Sequence, residues 1–184
     1  MSIFDEKAYD YLTQPDNWPI AREIKDKMVD IIEPRLLNEF WGEVEKGIMG
    51  KLDLKEWKVE LIEGELRISH LTWRNLFFIT YYELEKKTAI GVWYDSDLRK
   101  VPNALFIKQI GEKLLEKDKR ILSGWSNYWW PGYFYTGDDF RQTQTLNRIL
   151  PSNRKTLVDK YTSGIFGLLE KAKPIIDEAM KQLK

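Results

Sequence analysis

Trp57-Lys58-Val59-Glu60-Leu61-Ile62-Glu63-Gly64-Glu65-Leu66-Arg67-Ile68-Ser69-His70 decides the fold class. Trp57, Val59 and Leu61 alternate with charged residues, Glu63-Gly64 supplies a turn, and Leu66 and Ile68 resume the alternation. A period of two on both sides of a short turn is the pattern of an antiparallel hairpin with one buried face. A second pair follows. Phe77 to Leu84 is aromatic and β-branched, Glu85 to Thr88 is polar, Ala89 to Tyr94 is again apolar, and Asp95-Ser96-Asp97 closes the pair as a turn.

Helical periods flank these hairpins. Asp16 or Asn17 is expected to cap a helix beginning near Trp18-Pro19. Ile24, Met28, Ile31, Ile32, Leu36, Phe40, Val44 and Ile48 then recur at spacings of three and four, with Pro34 predicting a kink or a break. After the hairpins, Pro102-Asn103 opens a helix carrying Leu105, Phe106, Ile110, Leu114 and Leu115, and Lys117 to Arg120 adds positive charge at its negative dipole end. A last helix carries Val158, Ile165, Phe166, Leu169, Ala172, Ile176, Ala179 and Leu183, with Pro174 expected to interrupt it. Hairpins followed by helices predict an α+β fold: one domain over residues 1–184, its antiparallel sheet of about four to five strands packed against long N- and C-terminal helices.

Composition narrows the chemistry. Lysine plus arginine equals aspartate plus glutamate at 29 each, so no global field gathers nucleic acid or an anionic membrane. Nucleic acid binding therefore needs a local patch. The absence of cysteine removes disulfides, thiolate nucleophiles and zinc sites built on sulfur. A single histidine, His70, leaves no multi-histidine metal site and reads as a hydrogen-bonded structural residue. Glycines 42, 47 and 50 make no dinucleotide fingerprint, and Gly64, Gly91, Gly124 and Gly132 are isolated. No catalytic residue, metal or cofactor is expected. The start Met1-Ser2-Ile3-Phe4-Asp5-Glu6 lacks the basic-then-apolar order of a secretory signal, and no apolar run approaches the roughly 20 residues of a membrane span. A cytoplasmic chain that does not enter membranes is the expectation.

The feature that points to function lies between Trp125 and Tyr135, where Trp125, Tyr128, Trp129, Trp130, Tyr133, Phe134 and Tyr135 stand with Pro131-Gly132 among them. Such rings serve a core or a recognition surface equally well. Two arrangements stay open: core closure, with Pro131-Gly132 turning the rings onto the sheet, and an exposed platform. A mixture would set Trp125 and Phe134 inward and Trp129, Trp130 or Tyr133 partly outward. Arg67, Arg74, Arg99, Lys100, Lys119 and Arg120 precede the segment, and Arg141, Arg148, Arg154 and Lys155 follow it. Aromatic stacking beside local positive charge suits a partner protein or an anionic, nucleotide-like ligand. The expected binding residues are Trp129, Trp130 and Tyr133, with Arg74, Arg99 and Arg141 as charge partners. Trp18, Val29 and Leu37 offer a second apolar stripe through which the chain would form a homodimer.

Trp73, the strand from Phe78 to Glu83, Gly91-Val92-Trp93-Tyr94, the helix after it, and Trp125 to Tyr133 with its paired tryptophans before proline carry a resemblance. The run from Trp73 to Tyr135 resembles the C-terminal accessory region of bacterial and phage proteins of the PD-(D/E)xK nuclease superfamily. The resemblance implies an α+β module lying behind a separate nuclease core, in the setting of conflict between phage and bacterium. The nuclease core itself pairs a metal-binding aspartate with Glu-x-Lys on the next strand. Glu56-Trp57-Lys58 and Glu85-Lys86-Lys87 match Glu-x-Lys literally, but Asp53 lies only three residues before Glu56 and Asp30 falls in the long helix. Two function classes follow: a non-enzymatic recognition module, and a divergent metal-dependent nuclease or phosphodiesterase. Glu60, Glu63 and Glu65, or Asp95 and Asp97 with Asp138 and Asp139, are the other carboxylate groups that a cation would use.

Overall fold

The computed structural model describes residues 3–62, 64–73, 76–83, 86–94, 104–121 and 131–181. The chain divides into two compact units, Met1–Glu39 and Phe40–Lys184. Its class is α+β, as the alternating and helical periods predict.

In the N-terminal unit, α1 (Ile3–Leu12) is joined by a tight link to α2 (Asn17–Lys27). Asp16 stands at the cap position in helical conformation and makes no side-chain cap. Asn17 instead donates from Nδ2 to the Tyr11 carbonyl at 3.0 Å, tying the second helix to the end of the first. Helical structure then passes through a π turn, Met28–Ile32, into α3 (Glu33–Met49). Pro34 explains the turn. It has no amide to give the Asp30 carbonyl, and the wider turn, in which the Glu33 amide bonds the Met28 carbonyl, carries the chain past that position without breaking it.

The larger unit holds a five-stranded antiparallel sheet in the order β1-β2-β3-β4-β5: β1 (Trp57–Ile62), β2 (Glu65–His70), β3 (Leu76–Glu83), β4 (Lys86–Tyr94) and β5 (Gly132–Tyr135). Gly64, with φ of 74°, supplies the left-handed residue that the short β1–β2 connection requires. Strand parity gives the sheet two unlike faces. Leu66, Ile68, Phe78, Ile90 and Val92 lie on the inner face and are fully buried, sharing the core with Phe40, Trp41, Val44 and Ile48 of α3. Burying each such side chain contributes roughly 1.5–3 kcal/mol. Leu61 on edge strand β1 donates its amide to Glu45 Oε1 at 3.1 Å, so an α3 side chain covers part of the open edge.

Among the described residues, three helices complete this unit: α4 (Ala104–Lys117), α5 (Thr143–Arg148) and α6 (Lys155–Lys181). Along α6, Leu157, Tyr161, Ile165, Leu168, Ala172, Ile176 and Ala179 are buried at spacings of three and four. Pro174 does not interrupt α6, which corrects the sequence reading. Proline removes one backbone bond on the exposed side, while Ala172, Ile175 and Ile176 are buried on either side of it and hold the helix together. Among the described residues, no helix is long and apolar enough to cross a membrane.

Candidate functional site

The described part of the aromatic segment is a strand. β5 pairs with β4 through Ala89 to Tyr135, Ile90 to Phe134, Gly91 to Tyr133 and Val92 to Gly132. Alternation therefore sends Tyr133 and Tyr135 to the outer face and Phe134 to the face of Ile90. The two tyrosine rings meet edge to face, with centroids 5.5 Å apart and planes at 84°. Tyr133 is half-buried, and burial followed by the neighbouring Tyr135 hydroxyl pushes its phenol up from the ordinary value. Tyr135 keeps 53% of its surface exposed. Trp93, half-buried, has the same strand parity on β4, so the outer face is aromatic at the β4–β5 end. At the β1–β2 end it carries charge, with Lys58 paired to Glu60 at 2.7 Å and Arg67 to Glu65 at 2.8 Å.

Gly91 makes this geometry possible. A Cβ there would lie 2.3 Å from the Gly132 carbonyl oxygen and 2.6 Å from the Tyr133 Cα. Only a glycine lets β5 approach β4 so closely. Gly132 is confined less severely, since a Cβ would touch the side-chain ends of Leu114 of α4 and Ile121 at 3.0 Å. In sequence Gly91 is an isolated glycine. A lone glycine inside a strand pattern is nevertheless the signal of close backbone approach, and it marks where the aromatic strand joins the sheet.

A basic side chain does meet the segment. The Arg120 guanidinium stacks over the Phe134 ring at 4.8 Å from its centroid. Its orientation is set by Asp118, which receives Arg120 Nε at 2.9 Å and Nη2 at 2.6 Å, and Lys171 of α6 at 3.2 Å. The Arg120 hydrogen bonds outweigh burial and hold the Asp118 carboxyl well below the usual carboxylate range. Arg141 is likewise engaged, giving Asp139 two side-chain hydrogen bonds at 2.9 Å and its backbone amide at 3.1 Å. These bonds bring the Asp139 carboxyl down to about 2. Trp129, Trp130, Arg74 and Arg99 lie outside the described residues, as do Trp125 and Tyr128. Of the six expected binding residues, Tyr133 is thus on the outer sheet face and Arg141 is bound to Asp139 in the loop that follows.

A buried polar cluster supports the same region. Asp138 accepts Arg148 at 2.7 Å, Lys160 at 2.9 Å and the Tyr161 hydroxyl at 3.0 Å. Tyr161 lies in an aromatic cluster with Phe40, Trp41 and Phe140, and burial pushes its phenol far above the ordinary value. It therefore remains a neutral donor. Thr136, directly after β5, bonds the Tyr161 hydroxyl at 3.0 Å and gives its amide to the Thr88 carbonyl, fastening the strand's end to the core. At the other end of the sheet, His70 Nδ1 meets the Thr72 hydroxyl at 2.8 Å and the ring sits against Trp57. Trp73 donates from Nε1 to Asp177 of α6 at 2.9 Å. This placement gives His70 a structural role. Beside Trp57 lies a shallow groove of about 190 Å³ floored by Leu52, Phe166 and Leu169.

Among the described residues, the carboxylates do not converge. Glu56 faces His70 Nε2 at 3.5 Å, while Lys58 of the same Glu-x-Lys triplet pairs with Glu60. Glu63, Glu85, Asp95 and Asp97 lie outside the described residues. Among the described residues, no group of three or more histidines and carboxylates is placed to hold a metal ion. Comparison with protein-family models, with curated proteins and with solved structures finds no match for this chain.

Proposed function

We propose that the chain is a non-enzymatic recognition module that engages a partner protein through the outer aromatic end of its sheet. Tyr133 and Tyr135 are the anchors and Trp93 adjoins them by strand parity; the reading assigns Trp129, Trp130, Arg74, Arg99 and Arg141 to the same recognition task. The observation that carries this reading is Tyr135. It stands half in solvent against the ring of Tyr133, on a strand whose other face is held by α4 and the core. Tyrosines fixed on a rigid strand present large amphipathic area at small entropic cost, which is why they dominate interface hot spots. The balanced charge of 29 against 29 favours a protein over a nucleic acid. The resemblance of residues 73–135 to phage and bacterial proteins directs the search for that partner to bacterial lysates.

Tyr135→Ala tests the reading without disturbing the core, because exposed substitutions typically shift stability by about 0.5 kcal/mol or less. Partner capture by the variant is expected to fall at least tenfold, an interface loss of about 1.4 kcal/mol. Its melting temperature should stay near that of the parent. Capture unchanged in Tyr135→Ala removes the reading, and saturable binding of oligothymidylate or ATP, lost in the same variant, replaces the protein partner with an anionic ligand.

A further inference from the structure

Two buried aspartates of the larger unit each hold two exposed cations. Asp118, just after α4, accepts Arg120 at 2.6 Å and Lys171 at 3.2 Å, and Asp138, shortly after β5, accepts Arg148 at 2.7 Å and Lys160 at 2.9 Å. One negative charge against two positive ones leaves each cluster at +1. The four cations keep between 46% and 60% of their side-chain surface exposed, so the aspartates fix them without hiding them. Asp118 takes Nε and Nη2 of Arg120, and Asp138 takes Nη1 of Arg148. A guanidinium has five N–H donors, which leaves further donors for an incoming oxygen.

Helical spacing brings the two clusters to one surface. Lys160 and Lys171 both belong to α6 and stand about three turns apart, so they lie on the same side of that helix at a separation of about 16 Å. Glu178, the next carboxylate on this side, is paired with Lys181. Residues 104–181 carry thirteen basic and nine acidic side chains, a net charge of +4, within a chain balanced at 29 against 29. We propose that this side of α6 is a docking surface for an acidic segment of a partner protein, whose carboxylates are received by the Arg120–Lys171 and Arg148–Lys160 pairs. Charge-assisted hydrogen bonds to carboxylates are the strong ones, and cations already fixed by a buried group lose little freedom when a partner arrives. A nucleic acid fits less well, because a chain without net charge supplies no long-range field and two cation pairs release few counterions. The inference does not depend on the sheet-face reading.

A fluorescein-labelled peptide of twelve glutamates, titrated with the full chain at low ionic strength and followed by anisotropy, tests it. Saturable binding is expected, weakening as sodium chloride is added. Lys160→Gln together with Lys171→Gln should weaken it at least tenfold, while Lys55→Gln together with Lys108→Gln, the same charge change at exposed sites elsewhere, should weaken it far less. Gly164→Glu makes the test without touching either aspartate. Gly164 lies between the two lysines on the same side of α6, and a Cβ there would meet nothing within 4 Å. Glutamate is also the better helix former, so the melting temperature should hold or rise while peptide binding falls at least tenfold by repulsion. Tyr135→Ala should leave this binding unchanged. Absence of saturable binding overturns the inference, as does binding that survives Gly164→Glu or falls equally with the two pairs of lysines. Tighter binding of a twelve-residue oligothymidylate through Lys160 and Lys171 overturns the protein partner in favour of single-stranded nucleic acid.

Discussion

Gly91→Ala is expected to pry β5 from the sheet. The new methyl would lie 2.3 Å from the Gly132 carbonyl oxygen, 2.6 Å from the Tyr133 Cα and 2.7 Å from its Cβ. Non-bonded carbon contacts are optimal at about 3.5–4.0 Å, so an overlap of about 1 Å must be relieved. Two of the three obstructing atoms are backbone, which leaves no side-chain rotation that clears the space. Either β5 moves away and its hydrogen bonds to β4 break, or β4 buckles against β3. Overpacking of this kind costs about 1–3 kcal/mol before any pairing is lost. With the four registered pairs of β4 and β5 weakened as well, a total of about 3 kcal/mol is expected on the scale of large single-site effects. Urea denaturation should report it, and amide exchange should locate it, with Tyr133 to Tyr135 losing protection while Ile68 and Phe78 keep theirs. Because β5 carries the tyrosine pair, partner binding should fall together with that protection. A midpoint within error of the parent would mean that β4 and β5 are not as close as the structure has them.

The hairpins were legible because alternation is local: each strand reports its own buried face, and Gly64 punctuates the first pair. The α3 and α6 stripes were legible for the same reason. What escaped has specific causes. From Glu6 to Leu12 the described side chains of α1 are not buried, so its apolar residues there mark no face, and α5 is a six-residue helix inside a polar stretch. Pro34 predicts a kink or a break, and the structure places a π turn, Met28–Ile32, between α2 and α3 there; the form it takes depends on which carbonyls the neighbouring turns satisfy. Pro174 has the opposite outcome, since tertiary burial of Ala172, Ile175 and Ile176 outweighs one lost hydrogen bond. At the candidate site the rings themselves were visible, but their directions were not. Whether Tyr133 or Phe134 faces outward depends on the register of β5 against β4, and a shift of one residue would exchange them. Gly91 fixes that register, and only the pairing reveals it. The same holds for charge: ten basic residues surround the segment in sequence, and Arg120, which stacks on the Phe134 ring, is set there by a buried aspartate two residues away.

Asp138→Asn is expected to be the most destabilising change that preserves shape. The side chain is 5% exposed and receives three donors, the Arg148 and Lys160 cations and the Tyr161 hydroxyl. Asparagine offers one acceptor oxygen where the carboxylate has two, and its amide turns two donors toward the cations. Hydrogen bonds to a charged group contribute about 1.5–3 kcal/mol each, reduced here because Arg148 and Lys160 are about half exposed and recover water. A loss of about 2–4 kcal/mol is expected, lowering the melting temperature by about 5–10 °C for a chain of this size. Acid should reproduce the effect in the parent. Burial alone would raise the Asp138 carboxyl, but the hydrogen bonds from Lys160, Tyr161 and Arg148 outweigh it and hold it below the ordinary carboxylate value. A carboxylate depressed in the folded state contributes stability above its unfolded pKa of about 3.9, and that contribution disappears as pH falls through the folded value. Asp118 and Asp139 are shifted the same way by their arginines. Stability should therefore hold from neutral pH down to about pH 5 and decline below about pH 4. Asp138→Asn, already without the charge, should decline less steeply over that acid range. Parallel acid slopes in parent and variant would show that Asp138 is not ionised in the fold, and that Thr136 and β5 are held to the core by Tyr161 without it.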